Sequence, residues 1–213
     1  MSSKSLRRRP ASISPPVKFT IFSEGKNTEP EYFDAFDKSI KGALVSLTVV
    51  KAAGVPKTIA TKALEFRKKG RRRALSSFEE RDQTWVVFDR DEHDAVKETI
   101  DNLSKNSIGV AFRNPCFELW LILHIEDFDR PIDRHAVQKH LETICADYSV
   151  RQGKKPDCQR FMAAIETAEG RAVKMNERRV QEGAERQAPW TTVYELTKAI
   201  REAAKSGNVA VNG

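Results

Sequence analysis

The sequence predicts an α/β fold over residues 17–125, with a mostly parallel central sheet flanked by helices, followed by a helical C-terminal part. Three observations carry this. Short apolar runs at Val17–Phe22, Leu44–Val50, Trp85–Phe88 and Ser107–Phe112 read as strands. Segments with helical periodicity separate them, and strand–helix alternation is the pattern of a parallel sheet. After Asp127 the strand-like runs stop and the texture turns helical and charged. The expected organisation is a flexible basic tail at 1–16, the α/β domain at 17–125, a helical extension packed on it at 126–205, and a disordered terminus at 206–213.

Each element has a local reason. Met1–Pro16 is rich in Ser, Arg and Pro and reads as solvated chain. Val17–Phe22 is apolar enough for a buried strand. Behind it, Gly25 permits a tight turn or close approach to a ligand. Thr28 can cap a helix, with Pro30 in the first turn and Glu31 three positions on. Tyr32, Phe33, Phe36 and Ile40 form that helix's inner face. The Leu44–Val50 strand leads into a helix opening at Val55-Pro56 and running to about Lys69, with Ile59, Ala63 and Phe66 inward. Its end carries the strongest basic run of the chain, Arg67, Lys68, Lys69, Arg71, Arg72 and Arg73 around Gly70. That run is either a solvated helix end, where cations suit the dipole, or a contact for nucleic-acid backbone. It has no neighbouring aromatic platform for base stacking.

Trp85-Val86-Val87-Phe88 is the most buried strand candidate, and Asp89-Arg90-Asp91 follows at once. Glu92–Leu103 is a helix opening with acids. Ser107–Phe112 is a fourth strand. Asn114 can cap and Pro115 can open a helix that is apolar on nearly all sides. Glu118 is the exception in it, and a buried carboxylate needs a partner: a metal, a metal-bound water, or Arg113. His124 reads as a core or surface histidine and not as a base. In the C-terminal half, Arg134–Ala146, residues 157–180 and a last helix beginning at Ala188-Pro189 are the expected elements.

The chain has 213 residues and a formal charge of +7, which permits nucleic-acid binding without establishing it. Cys116, Cys145 and Cys158 form no pairwise motif and suggest reduced thiols in a cytoplasmic protein. No signal-peptide pattern and no membrane-length apolar run is present.

The chemistry gathers where strands end. In open α/β sheets ligands bind beyond the carboxyl ends of the strands. Glu24 lies just past the first strand, and Asp89 and Asp91 lie at the end of the Trp85 strand. Two close carboxylates repel unless a cation or a proton lies between them, and a hard ion such as Mg²⁺ takes oxygen ligands. Lys26 and Arg113, with Arg67, Arg71, Arg72 and Arg73, form the candidate nucleic-acid-binding set. No Cys–His pair or serine triad offers covalent chemistry.

Four motifs occur in order: Ser23-Glu24-Gly25-x-x-Thr28-Glu29-Pro30, Phe88-Asp89-Arg90-Asp91, Asn114-Pro115-Cys116-Phe117-Glu118-Leu119-Trp120 and Thr191-Thr192-Val193. Together they resemble the RloB-like family of prokaryotic defence-associated proteins over roughly Val17–Ala204. That family is similar to a branch of the Toprim fold, the catalytic module of topoisomerases, primases and some overcoming-lysogenization-defect nucleases. The resemblance implies a Toprim-like fold in which Glu24, Asp89 and Asp91 hold Mg²⁺, or Mn²⁺ in its place, for phosphoryl transfer. Glu29 resembles the second-site acid of the nuclease branch, and Glu118 is the family-specific candidate beside the site. Where relatives read Asn-Pro-Ser-Thr, this chain has Ala188-Pro189-Trp190-Thr191. The implied function is Mg²⁺-dependent nuclease action in antiphage defence or abortive infection, on DNA or RNA. The alternative is a non-catalytic Mg²⁺-dependent module that binds nucleic acid or nucleotide and acts with a partner protein. Oligomerisation is left open.

Overall fold

The structure is a computed structural model that describes residues 15–25, 27–52, 54–71, 79–90, 96–151, 153 and 156–209, with only the backbone of Arg71 and of residues 207–209. Lys26, Arg72, Arg73 and Asp91 lie outside the described residues, as do the first fourteen residues, the expected helix start at Glu92 and residues 210–213.

Five strands form one sheet in the order β2-β1-β3-β4-β5, where β1 is Val17–Ser23, β2 Val45–Lys51, β3 Gln83–Asp89, β4 Gly109–Asn114 and β5 Trp190–Thr191. The first four are parallel and β5 is antiparallel to β4. Registers such as Ile21↔Trp85 and Val87↔Ala111 put the apolar centres of the middle strands level.

The period-2 alternation divides these strands between two cores. Phe19, Ile21, Trp85, Val87 and Ala111 face α1 (Thr28–Ser39) and α4 (Glu118–Ile125). Phe22, Val86, Phe88 and Phe112 face α2 (Pro56–Arg71) and α3 (Val96–Lys105). Strands covered on both faces are apolar throughout, which is why they read as continuous runs. The helix after β1 thus covers one face, and the helix after β3 covers the other. Because β1 and β3 are neighbours, the chain's winding reverses between them, and a crevice opens at their carboxyl ends. This is the Toprim-like architecture that the motifs imply.

The C-terminal part consists of α5 (Arg134–Ile144), a 3₁₀ stretch Cys158–Ala164, α6 (Ile165–Gln181), β5 and α7 (Val193–Val209). α4 is buried along its length and packs against α5 and α6. In it, His124 donates Nδ1–H to the Trp120 carbonyl at 2.8 Å and accepts the Tyr32 hydroxyl on Nε2 at 3.1 Å. Burial lowers its pKa to about 4, with the nearby Arg171 acting in the same direction.

Several boundaries differ from the sequence reading. β4 runs on through Asn114, and the Asn114–Pro115 bond is cis, so Pro115 does not open a helix. The Asn114 amide donates to the Arg186 carbonyl instead of capping, and α4 begins only at Glu118. Asn27, not Thr28, occupies the N-cap position of α1. Phe66 is 47 % exposed, with its edge on Phe22, rather than inward, so the basic run does have an aromatic neighbour. Residues 190–191 are strand, not helix. Thr192 explains this: its N–H donates to Phe112 O, its hydroxyl accepts from Phe112 N and donates to Val110 O, and the outer edge of β4 is covered. α7 continues to Val209, past the end expected at 205. Among the described residues, no helix is long and apolar enough to cross a membrane.

Candidate functional site

The same alternation that buries Trp85 and Val87 puts Asp89 on the α1/α4 face of the sheet. On β4 it puts Arg113, two residues beyond Ala111, on that face as well. The two are register partners, Asp89↔Arg113. Their side chains meet: Arg113 Nε donates to Asp89 Oδ1 at 2.6 Å, and Nη2 lies 2.5 Å from the same oxygen. Nη2 also donates to Glu29 Oε1 at 2.9 Å. Arg113 has no solvent exposure. Burial works against its charge, but Asp89 and Glu29 outweigh burial and raise its pKa.

Glu24 reaches the site from the turn after β1. Its N–H donates to Val87 O at 3.1 Å, extending the β1–β3 ladder by one rung. Its carboxylate then accepts the Asp89 backbone N–H on Oε2 at 3.1 Å. Glu24 and Asp89 are therefore in contact at the carboxyl edge of the sheet, at the crevice between β1 and β3.

Glu29 arrives from the first turn of α1 and is nearly buried. Its carboxylate lies so close to Gly25 that a Cβ there would collide with it. Glycine at this position is what lets Glu29 reach Arg113. Burial raises the Glu29 pKa; Arg113 opposes that rise, while Asp89 and Glu118 add to it. Glu118, in the first turn of α4, accepts the Tyr148 hydroxyl at 2.9 Å. Arg113, one of the three partners left open for Glu118, makes hydrogen bonds to Asp89 and Glu29, and Tyr148 is a partner the sequence did not offer. Arg134, at the start of α5, places Nη2 3.2 Å from Asp89 Oδ2.

A cleft of about 170 Å³ is lined by Glu29, Asp89, Glu118 and Arg134, with Gly25, Thr28 and Gln138 around them. Among the described residues at and beside the cleft, Glu24, Glu29, Asp89 and Glu118 stand against Arg113 and Arg134, a formal balance of two negative charges. Oxygen donors and net negative charge are the chemistry that suits a hard divalent cation. Glu24 and Asp89 fit such an ion in donor type, and the Glu24 carboxylate lies against the Asp89 backbone N–H. Among the described residues, however, no group of three or more His, Cys, Asp or Glu side chains is arranged to hold a metal. Asp91, the third expected ligand, lies outside the described residues. Both oxygens of Asp89 are occupied by Arg113 and Arg134.

Of the basic set, Arg67 and Arg113 are the members with described side chains, and neither lines this cleft. Arg113 is buried and ion-paired, so it is an internal counter-ion and not a nucleic-acid contact. Arg67 lines clefts with Lys18, Gln83 and Thr84, at the amino ends of β1 and β3. Thr84 and Asp89 are five residues apart on one strand, about 17 Å at the usual strand rise. α2 returns the chain from one edge of the sheet to the other, and this is why its basic end lies opposite the acids. Of Arg71 only the backbone is described. Sequence reasoning missed Arg134, Gln138 and Tyr148. All three come from the C-terminal half, where polar residues on or beside helices carry no local mark of a distant partner.

No curated protein and no solved structure matches this chain. The sequence profile of the RloB-like protein family matches residues 19–200, nearly the whole of the sheet and its helical cover. With four motifs in order, and three of them contributing side chains to one cleft, the chain belongs to the RloB-like family.

Proposed function

We propose that the protein is a Mg²⁺-dependent nuclease that hydrolyses phosphodiester bonds of DNA or RNA in antiphage defence. The observation that supports this best is the contact between Glu24 and Asp89 at the crevice between β1 and β3, in a member of the RloB-like family. Mg²⁺ or Mn²⁺ held by Glu24 and Asp89, with Asp91 as the expected third ligand, would polarise a phosphate oxygen and supply an acidified water. The chain's own residues prepare the place. Glu24 is fixed over the end of β3 by the Asp89 amide. Arg113 holds Asp89 and Glu29 at set positions beneath the cleft, so neither has to be ordered when substrate arrives. Glu118, anchored by Tyr148, is a supporting residue that shapes the acid field and does not displace the primary ligands. Thiol nucleophiles do not compete with this reading: the three cysteines are buried, and burial pushes Cys145 to about 11 and Cys158 to about 12.

A second reading is a non-catalytic module that binds nucleic acid or nucleotide with Mg²⁺ and works with a partner protein. The pairing of both Asp89 oxygens with arginines favours it. Turnover separates the two. Purified protein is incubated with labelled single- and double-stranded DNA and with RNA, each with Mg²⁺, Mn²⁺ or chelator, beside Glu24→Gln. The nuclease reading expects metal-dependent products and a loss of about 100-fold or more in the variant, the size of effect seen when a charge-stabilising group is removed. Retained binding with no products from any substrate supports the module.

A further inference from the structure

We propose that Arg134 is an exchangeable counter-ion: it occupies Asp89 Oδ2 in the free protein and turns to a substrate phosphate when a divalent cation takes that oxygen. This rests on the nuclease reading and extends it to a residue outside the four motifs.

The geometry separates the two arginines on Asp89. Arg113 is fully buried, holds Oδ1 through two nitrogens, and is tied to Glu29 as well. It cannot leave without stranding charge in the interior. Arg134 holds only Oδ2, at 3.2 Å, and its side chain is 45 % exposed. Its other contact is a long one, 3.4 Å to the Pro115 carbonyl. A half-exposed single ion pair adds little to stability, so the fold does not depend on this link. α5 is capped independently, by Asp133 accepting the Ala136 N–H, so the helix keeps its start whatever Arg134 does.

The cleft needs such a residue. Glu29, Asp89 and Glu118 line it, and a phosphate diester entering would meet mainly negative charge. Arg134 is the one cation among the described residues that line it. The oxygen it covers is also one that a ligand carboxylate would have to offer. Arg134 and a divalent ion therefore compete for Oδ2, and the guanidinium released by that competition lies at the cleft with its charge free for phosphate.

The prediction is of opposite signs. In Arg134→Ala, Mn²⁺ binding measured by calorimetry tightens about two- to fivefold, since an exposed ion pair no longer competes. Binding of a fluorescein-labelled single-stranded 20-mer, followed by anisotropy, weakens about tenfold. The slope of its affinity against salt falls by about one ion with Mn²⁺ present and stays at the parent value in chelator, where Asp89 holds the guanidinium. Arg134→Lys restores the salt slope and part of the oligonucleotide affinity. Thermal melting of both variants stays close to the parent, and Arg134→Gln replaces the alanine variant if that one fails to fold. Weaker Mn²⁺ binding in Arg134→Ala, or a salt slope unchanged with Mn²⁺ present, or one that falls equally in chelator, overturns the proposal while Glu24-dependent turnover still upholds the nuclease reading. Absence of Mn²⁺ binding and of turnover in every protein overturns both.

Discussion

A guanidinium without solvent exposure persists only where acids surround it, and Arg113 has Asp89 and Glu29 within hydrogen-bond distance. Removing it would leave two poorly solvated carboxylates side by side, with Glu118 close enough to add repulsion. Arg113→Met is therefore expected to cost about 3–5 kcal/mol in urea unfolding. A divalent ion should recover part of that loss in the variant and matter less in the parent, because the ion then meets acids with no counter-ion. A cost within a few tenths of a kcal/mol would mean that the network does not organise the cleft. Arg113 also shows how the residue scale can be read from sequence. Its identity and position were visible, but its partner was not, because β4 was read as ending at Phe112. Extending the strand by two residues puts Arg113 on the face of Ala111, opposite Asp89, and the pairing follows from alternation alone.

At the scale of elements, α4 is the helix around which the α1 face of the sheet is packed, and His124 links it to α1 through Tyr32. The imidazole is neutral in the folded state, with its pKa lowered to about 4 from an ordinary value of 6.5. Between these values the unfolded chain binds a proton that the folded chain refuses. Stability therefore falls as pH drops below about 6.5 and levels off below about 4, and the loss reaches up to about 3 kcal/mol. Urea unfolding between pH 7 and 4, in parallel with His124→Gln, isolates this contribution from the carboxylates. The variant should show a flatter profile, and parallel profiles would remove the histidine from the account. The elements that were legible, β1 to β4 and their helices, have long apolar patterns. β5 has two residues and no periodicity, and it exists because the edge of β4 and Thr192 complete each other's hydrogen bonds. The cis bond at Asn114–Pro115 likewise leaves no local mark that distinguishes it from a helix start.

At the scale of the whole molecule, the winding of the chain decides where chemistry can occur. Helices that leave β1 and β3 for opposite faces open the crevice, and Glu24 and Asp89 are the residues that the chain places beside it. These two were legible because each follows an apolar run directly. Arg134 and Tyr148 were not, because they reach Asp89 and Glu118 from α5 and the segment beyond it, through packing that no local pattern encodes. The basic end of α2 was legible as a charge run, yet its place at the amino edge follows only from the path of the helix across the sheet. On the proposed reading, the carboxylates at the β1–β3 edge hold a divalent cation. A Mn²⁺ titration by calorimetry on the parent protein, Glu24→Gln and Asp89→Asn tests it most directly. Saturable binding is expected in the parent, weakened at least about tenfold in each variant while the melting profile stays cooperative. Superimposable titration curves for all three proteins would contradict it.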